Sequence, residues 1–146
     1  MKKISLSINE FYLLNAELNG GEIQTNLGSK SFEGFINQEL TLVQKYWLND
    51  INKKIKEEVG SCEKLKEELV KKYGEVAEDK IQISMYIKDE NGNDVSNPNY
   101  AKFNEEFLLL LQESRFLEYK ELNINELGGI KTKDNYEILY KLFNVE

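Results

Sequence analysis

Hydrophobic and polar residues alternate from Lys3 to Ile8, with Ile4, Leu6 and Ile8 on one side, and this two-residue period predicts a short strand. Ser7-Ile8-Asn9-Glu10 then fits a capping box, in which a Ser hydroxyl and a Glu carboxylate satisfy the free N–H groups of a helix start. Phe11, Leu14 and Leu18 follow at helical spacing, and Gly20-Gly21 ends that helix. Residues 20–30, with Gly28 and Ser29, read as a loop.

The longest periodic signal comes next. Apolar positions recur at Phe32, Phe35/Ile36, Leu40, Val43, Trp47, Ile51, Ile55, Val59, Cys62, Leu65, Leu69 and Tyr73. The repeat averages about 3.7 residues, close to the helical period. A single amphipathic helix over about 32–73 keeps this phase through Gly60, which costs about 1 kcal/mol relative to Ala. In the alternative, Gly60 is a C-cap, Ser61 an N-cap, and the segment folds into an αα-hairpin. A hairpin would not need to preserve the phase. A continuous rod would be about 60 Å long, against about 30–40 Å for the width of a globule of this size. Its distal part, Ile55 to Tyr73, is therefore expected to project. Its narrow apolar seam, flanked by mixed charge, suits either pairing with another helix or a solvated helix held by i,i+4 ion pairs.

Gly74 to Asp79 closes the helix. Ile81, Ile83, Met85 and Ile87 alternate with Gln82, Ser84, Tyr86 and Lys88, predicting a half-buried strand. Asp89 to Asp94 is a turn around Asn91-Gly92. Asn97 caps a helix with Pro98 in its first turn, and Phe103, Phe107, Leu110 and Leu111 are expected in the core. Phe116 to Ile124 reads as a strand, Gly128-Gly129 as a break, and Asp134 to Phe143 as a last helix with Tyr136, Leu139, Tyr140 and Phe143 inside. The expected fold is α+β: a small, mainly antiparallel sheet packed by short helices, with one long amphipathic helix projecting or forming a hairpin, in a single domain over residues 1–146.

Composition narrows the chemistry. The 146 residues are 40% hydrophobic and 11% aromatic, enough for a core rather than disorder. Nineteen Lys and Arg against 26 Asp and Glu give a net charge of −7, which argues against direct binding to nucleic-acid phosphate. Histidine is missing, which removes Ser-His-Asp, Cys-His and HExxH chemistry. A single cysteine, Cys62, allows no internal disulfide and no cysteine cage for zinc. The longest apolar run, Phe107 to Leu111, is far short of the roughly 18–20 residues that span a bilayer. Ser5, Ser7, Asn9 and Glu10 interrupt any leader after Met1-Lys2-Lys3. A cytoplasmic protein with no membrane partner is expected.

Asp89 to Asp94 lacks the glycine and acidic positions of an EF-hand and reads as a hairpin turn. Glu57-Glu58 and Glu105-Glu106 are helix neighbours that point apart, so neither pair converges on a substrate. Cys62 falls on the apolar seam as a small buried hydrophobe, and Ser61 with Lys64 reads as a helix cap. No phosphate-binding glycine motif occurs. Arg115, the only guanidinium, could clamp a phosphate or carboxylate, or pair internally with Glu113 or Glu118. No catalytic group, cofactor or metal is expected.

The order of elements carries a resemblance. Lys3-Ile4-Ser5-Leu6 leads to Leu13-Leu14-Asn15-Ala16-Glu17-Leu18; a long charged helix ends in Lys71-Lys72-Tyr73-Gly74-Glu75. The Asp-Asn-Gly turn and Asn99-Tyr100-Ala101-Lys102-Phe103-Asn104-Glu105-Glu106 follow. The chain resembles a group of small, uncharacterised proteins encoded by phages and prophages of AT-rich bacteria. Eighteen Lys beside one Arg suits that source. The resemblance implies a viral accessory role and supplies no site residues.

The expected function is a non-enzymatic, phage-encoded interaction protein that inhibits a bacterial defence component by direct binding in the host cytoplasm. Its acidic surface would steer it to a basic face. Tyr46, Trp47, Ile55, Leu65, Leu69, Tyr73, Arg115 and Tyr119 are the candidate partner-binding residues. One alternative is a virion or assembly protein that forms a homo-oligomer through the long helix. Another is a sponge for a small nucleotide signal, held by Arg115, lysines and backbone amides.

Overall fold

The computed structural model describes residues 1–25, 28–123 and 136–144. The fold is α+β, with short antiparallel strand pairs, one long helix and shorter helices. The chain forms two compact units, one of Met1–Val59 with Ser114–Glu146 and one of Gly60–Glu113.

In the first unit, β1 (Lys2–Ser7) pairs antiparallel with β8 (Ser114–Tyr119), in a register running from Lys2 opposite Tyr119 to Ser7 opposite Ser114. Alternation puts Leu6 and Leu117 into the core. The expected capping box starts α1 (Ile8–Asn19): the Glu10 N–H donates to Ser7 Oγ at 3.1 Å, and the Ser7 N–H donates to Glu10 Oε1 at 3.0 Å. That backbone hydrogen bond is the main cause holding the Glu10 carboxyl below its ordinary range, with Lys141 adding to it. The bond therefore stabilises the fold while Glu10 is ionised. The contribution is complete above the ordinary glutamate range and is lost as pH falls through the lowered value. Melting curves across the acid range should show a shallower loss of Tm for Glu10→Gln than for the wild-type chain; equal slopes would contradict this.

The segment after α1, expected as a loop, is a hairpin of β2 (Gly21–Thr25) and β3 (Gly28–Phe32). Residues 32–41 also depart from the expected helix. Phe32 ends β3, and Gly34 turns the chain at φ +90°, where a Cβ would lie 2.7 Å from the Asn19 carbonyl carbon. A 3-10 turn, Phe35–Asn37, then inserts Phe35 edge-on against Tyr136 and beside Phe143. Phe32, Phe35 and Leu40 matched a helical period by spacing alone.

The long helix, α2, runs Leu42–Tyr73, about 48 Å at 1.5 Å per residue. Its start is a second capping box: Thr41 N–H donates to Gln44 Oε1 and Gln44 N–H to Thr41 Oγ1. The helix is unbroken at Gly60, so the hairpin alternative is excluded. A Cβ at Gly60 would meet nothing within 4 Å. Gly60→Ala is therefore expected to raise unfolding stability by about 1 kcal/mol through helix propensity; urea titration would reveal the gain, and a loss would mean that Gly60 serves another purpose. Leu48, Ile51 and Ile55 enter the core of the first unit. Asn52 makes a reciprocal amide pair with Asn19 at 2.7 and 3.0 Å.

The predicted strand over 116–124 is shorter: β8 ends at Tyr119 and β9 is Leu122–Asn123, while Ile124 lies outside the described residues. Gly128-Gly129 and Asp134 also lie outside them. The last helix, α4, covers Glu137–Lys141, and Phe143 belongs to β10 (Phe143–Asn144), which pairs parallel with β9.

In the second unit, Gly74 N–H donates to the Val70 carbonyl at the end of α2. A tight hairpin of β4 (Glu75–Ala77) and β5 (Lys80–Gln82) follows, with positive φ at both Glu78 and Asp79. The predicted strand over 81–87 is divided between β5 and β6 (Tyr86–Lys88). Asn97 accounts for the break: its N–H donates to the Met85 carbonyl and its Nδ2 to the Ser84 carbonyl. β6 pairs with β7 (Asp94–Ser96) around the expected turn, where Asp89 Oδ1 accepts the N–H groups of Asn91 and Asn93. Asn97 also caps α3 (Pro98–Leu111). Phe103 is buried there, while Phe107, Leu110 and Leu111 are only half-buried. Phe107 stacks on Phe103, and Lys66 Nζ lies 5.4 Å over its ring.

Candidate functional site

The first turns of α2 carry an exposed apolar surface. The capping box fixes Leu42 and Val43 as the first helical residues, and Tyr46 and Trp47 follow one turn later. Leu42 is 85% exposed, and Val43 and Tyr46 are each 66% exposed. At 100° per residue, Leu42, Val43 and Tyr46 fall on the side of the helix opposite Gln44, Leu48, Ile51 and Ile55, which are buried. The two sets cannot both enter one core. Trp47 sits half-buried between them, and its ring meets Tyr46 edge to face at 4.9 Å and 83°. Such a pair holds an aromatic side chain in place before a partner arrives.

The other candidate residues take different positions. Ile55 is 0% exposed and Tyr119 4% exposed, so both belong to the core and offer no surface to a partner. Burial, helped by Glu121, pushes the Tyr119 hydroxyl pKa up. Leu65 is exposed, whereas Leu69 and Tyr73 are half-buried. Arg115 is largely exposed and pairs with Glu58 Oε1 at 3.2 Å, not with Glu113 or Glu118. The apolar period places Ile55 on the seam and Tyr46 off it, but spacing alone does not say which side of a helix meets the body. Leu42 was missed altogether. The pattern Thr41-x-x-Gln44 was its available signal, since a capping box sets the true helix start.

Cys62 is buried within α2. No group of three or more metal-ligating side chains converges among the described residues. The second unit carries twelve acidic side chains against seven basic ones. No helix among the described residues is long and apolar enough to cross a membrane. Comparison with known proteins found no match to any family model, any curated sequence or any solved structure.

Proposed function

We propose that this chain is a non-enzymatic interaction protein that acts by occupying a surface of another protein. The observation that carries the reading is the exposed Leu42, Val43 and Tyr46 surface, with Trp47 bracing Tyr46. Apolar side chains held on a capped helix lose little entropy on docking, and aromatic anchors carry a large share of interface energy. The net charge of −7 adds long-range attraction to a basic partner. Taken with the phage-like order of elements, the partner is a bacterial defence component that the chain inhibits. A nucleotide sponge has less support, because Glu58 already engages the lone guanidinium.

Size-exclusion runs of the purified chain with purified defence effectors at micromolar concentration would test this reading. A complex is expected, and Tyr46→Ala should weaken it by about 30-fold, on the order of 2 kcal/mol. No complex with any effector, or one indifferent to Tyr46→Ala, would overturn it. The exposure of Leu65 on α2 favours one second reading, self-association in a particle. Light scattering that returned a single-chain mass at every concentration would exclude that reading.

A further inference from the structure

A cleft of about 550 Å³ opens between α1 and β2 in the first unit. Its walls are Asn9, Tyr12 and Leu13 from the helix and Gly21, Glu22 and Ile23 from the strand. Successive residues of a strand point to opposite faces, so one face would contribute alternate residues only. Three consecutive lining residues place the backbone edge of β2 along the cleft. Among the described residues β2 pairs with β3 alone, which leaves that edge without a neighbouring strand. A Cβ at Gly21 would meet nothing within 4 Å, so the face of β2 at that residue is open. An open strand edge beside a helix is the geometry in which an extended peptide adds as a further strand.

We propose that this cleft takes an extended segment of a partner protein, paired backbone to backbone with β2. The segment carries a Lys or Arg opposite Glu22 and an apolar side chain against Leu13 and Ile23. Charge sets the first choice, because Glu22 is exposed and the described side chains that line the cleft include no Lys or Arg. The inference shares with the proposed function the premise that the chain works by binding protein, but it concerns a different surface from that of Tyr46.

A displayed library of random heptapeptides, selected against the full chain, tests it. Enriched peptides should combine a basic residue with apolar ones. A synthetic copy should shift the backbone amide resonances of Gly21–Thr25 and of Asn9–Ala16. N-methylation of alternate peptide amides, and separately Glu22→Lys, should each weaken binding at least about tenfold, the first by removing strand hydrogen bonds and the second by reversing the charge. Selection that does no better on the wild-type chain than on Glu22→Lys would overturn the inference, as would shifts confined to other residues or affinity indifferent to N-methylation. Pairing of two copies through β2, seen as a concentration-dependent dimer blocked by no peptide, would also overturn it. A partner complex that Tyr46→Ala weakens while no peptide shifts β2 sinks this inference and leaves the proposed function standing. Peptide capture at β2 with no complex sensitive to Tyr46 does the reverse.

Discussion

Glu17→Ala is expected to destabilise the first unit by about 3–5 kcal/mol, read from urea denaturation. Glu17 is fully buried on α1, between Ala16 and Leu18, in a position that would ordinarily hold an apolar residue. Its carboxylate is spent on the start of α4. Oε1 accepts the N–H groups of Glu137 and of Ile138, the latter at 3.1 Å, and Oε2 accepts those of Ile138 and Leu139 at 3.2 and 3.0 Å. A helix leaves its first N–H groups without internal partners, and Tyr136, which precedes α4, supplies no side-chain cap. Glu17 therefore replaces a local cap from 120 residues away. Alanine would leave three helix-start donors without this acceptor, those of Ile138 and Leu139 buried, and loosen the segment that brings Ile138, Leu139, Leu142 and Phe143 into the core. Glu17→Gln keeps one acceptor oxygen but turns an amide NH2 toward N–H donors, so its loss should be smaller than that of alanine. A loss below about 1 kcal/mol for Glu17→Ala would mean that the donors find other partners.

The contrast between Glu17 and Ser7 marks what a sequence can disclose. The capping box at Ser7 and Glu10 is local, spaced by three residues, and could be read directly; so could Asn97 with Pro98 and the Asn91-Gly92 turn. The same logic would have placed the start of α2 at Thr41, but a run of apolar residues at helical spacing from Phe32 masked it. Long-range features left no such trace. Glu17 resembles any surface glutamate until α4 is folded against it. The break between β5 and β6 depends on Asn97 reaching the Ser84 and Met85 carbonyls, twelve or more residues back. The β2–β3 hairpin lacks strong alternation, because Gly21-Glu22-Ile23 and Gly28-Ser29 carry few apolar residues. Its pairing is set by backbone hydrogen bonds and by the tight exit from α1 at Gly20. At the candidate site, periodicity found α2 and ran one seam through Val43, Trp47, Ile51 and Ile55, whereas the folded helix buries Ile51 and Ile55 and leaves Val43 exposed beside Leu42 and Tyr46, which lie off that seam.

Ile55→Ala and Tyr46→Ala separate those two sides by experiment. Ile55 is completely buried and lies one turn beyond Ile51 against the same core. Truncating it removes three heavy atoms and leaves a cavity that the surrounding side chains fill only in part, an expected cost of about 2–5 kcal/mol in unfolding free energy. Tyr46 is two-thirds exposed, and its ring makes a T-shaped contact with Trp47. Its truncation should change stability by no more than about 1 kcal/mol, the worth of an aromatic pair. Binding should respond in the opposite order. The Ile55→Ala chain that remains folded keeps the Leu42, Val43 and Tyr46 surface and should bind a partner with near-normal affinity once corrected for the unfolded fraction. Tyr46→Ala should fold normally and bind weakly. Urea titration and a partner titration on the same two variants measure both effects. If Ile55→Ala left stability unchanged but abolished binding, the long helix would present its seam to the partner, and the surface assigned to Tyr46 would have no role in docking.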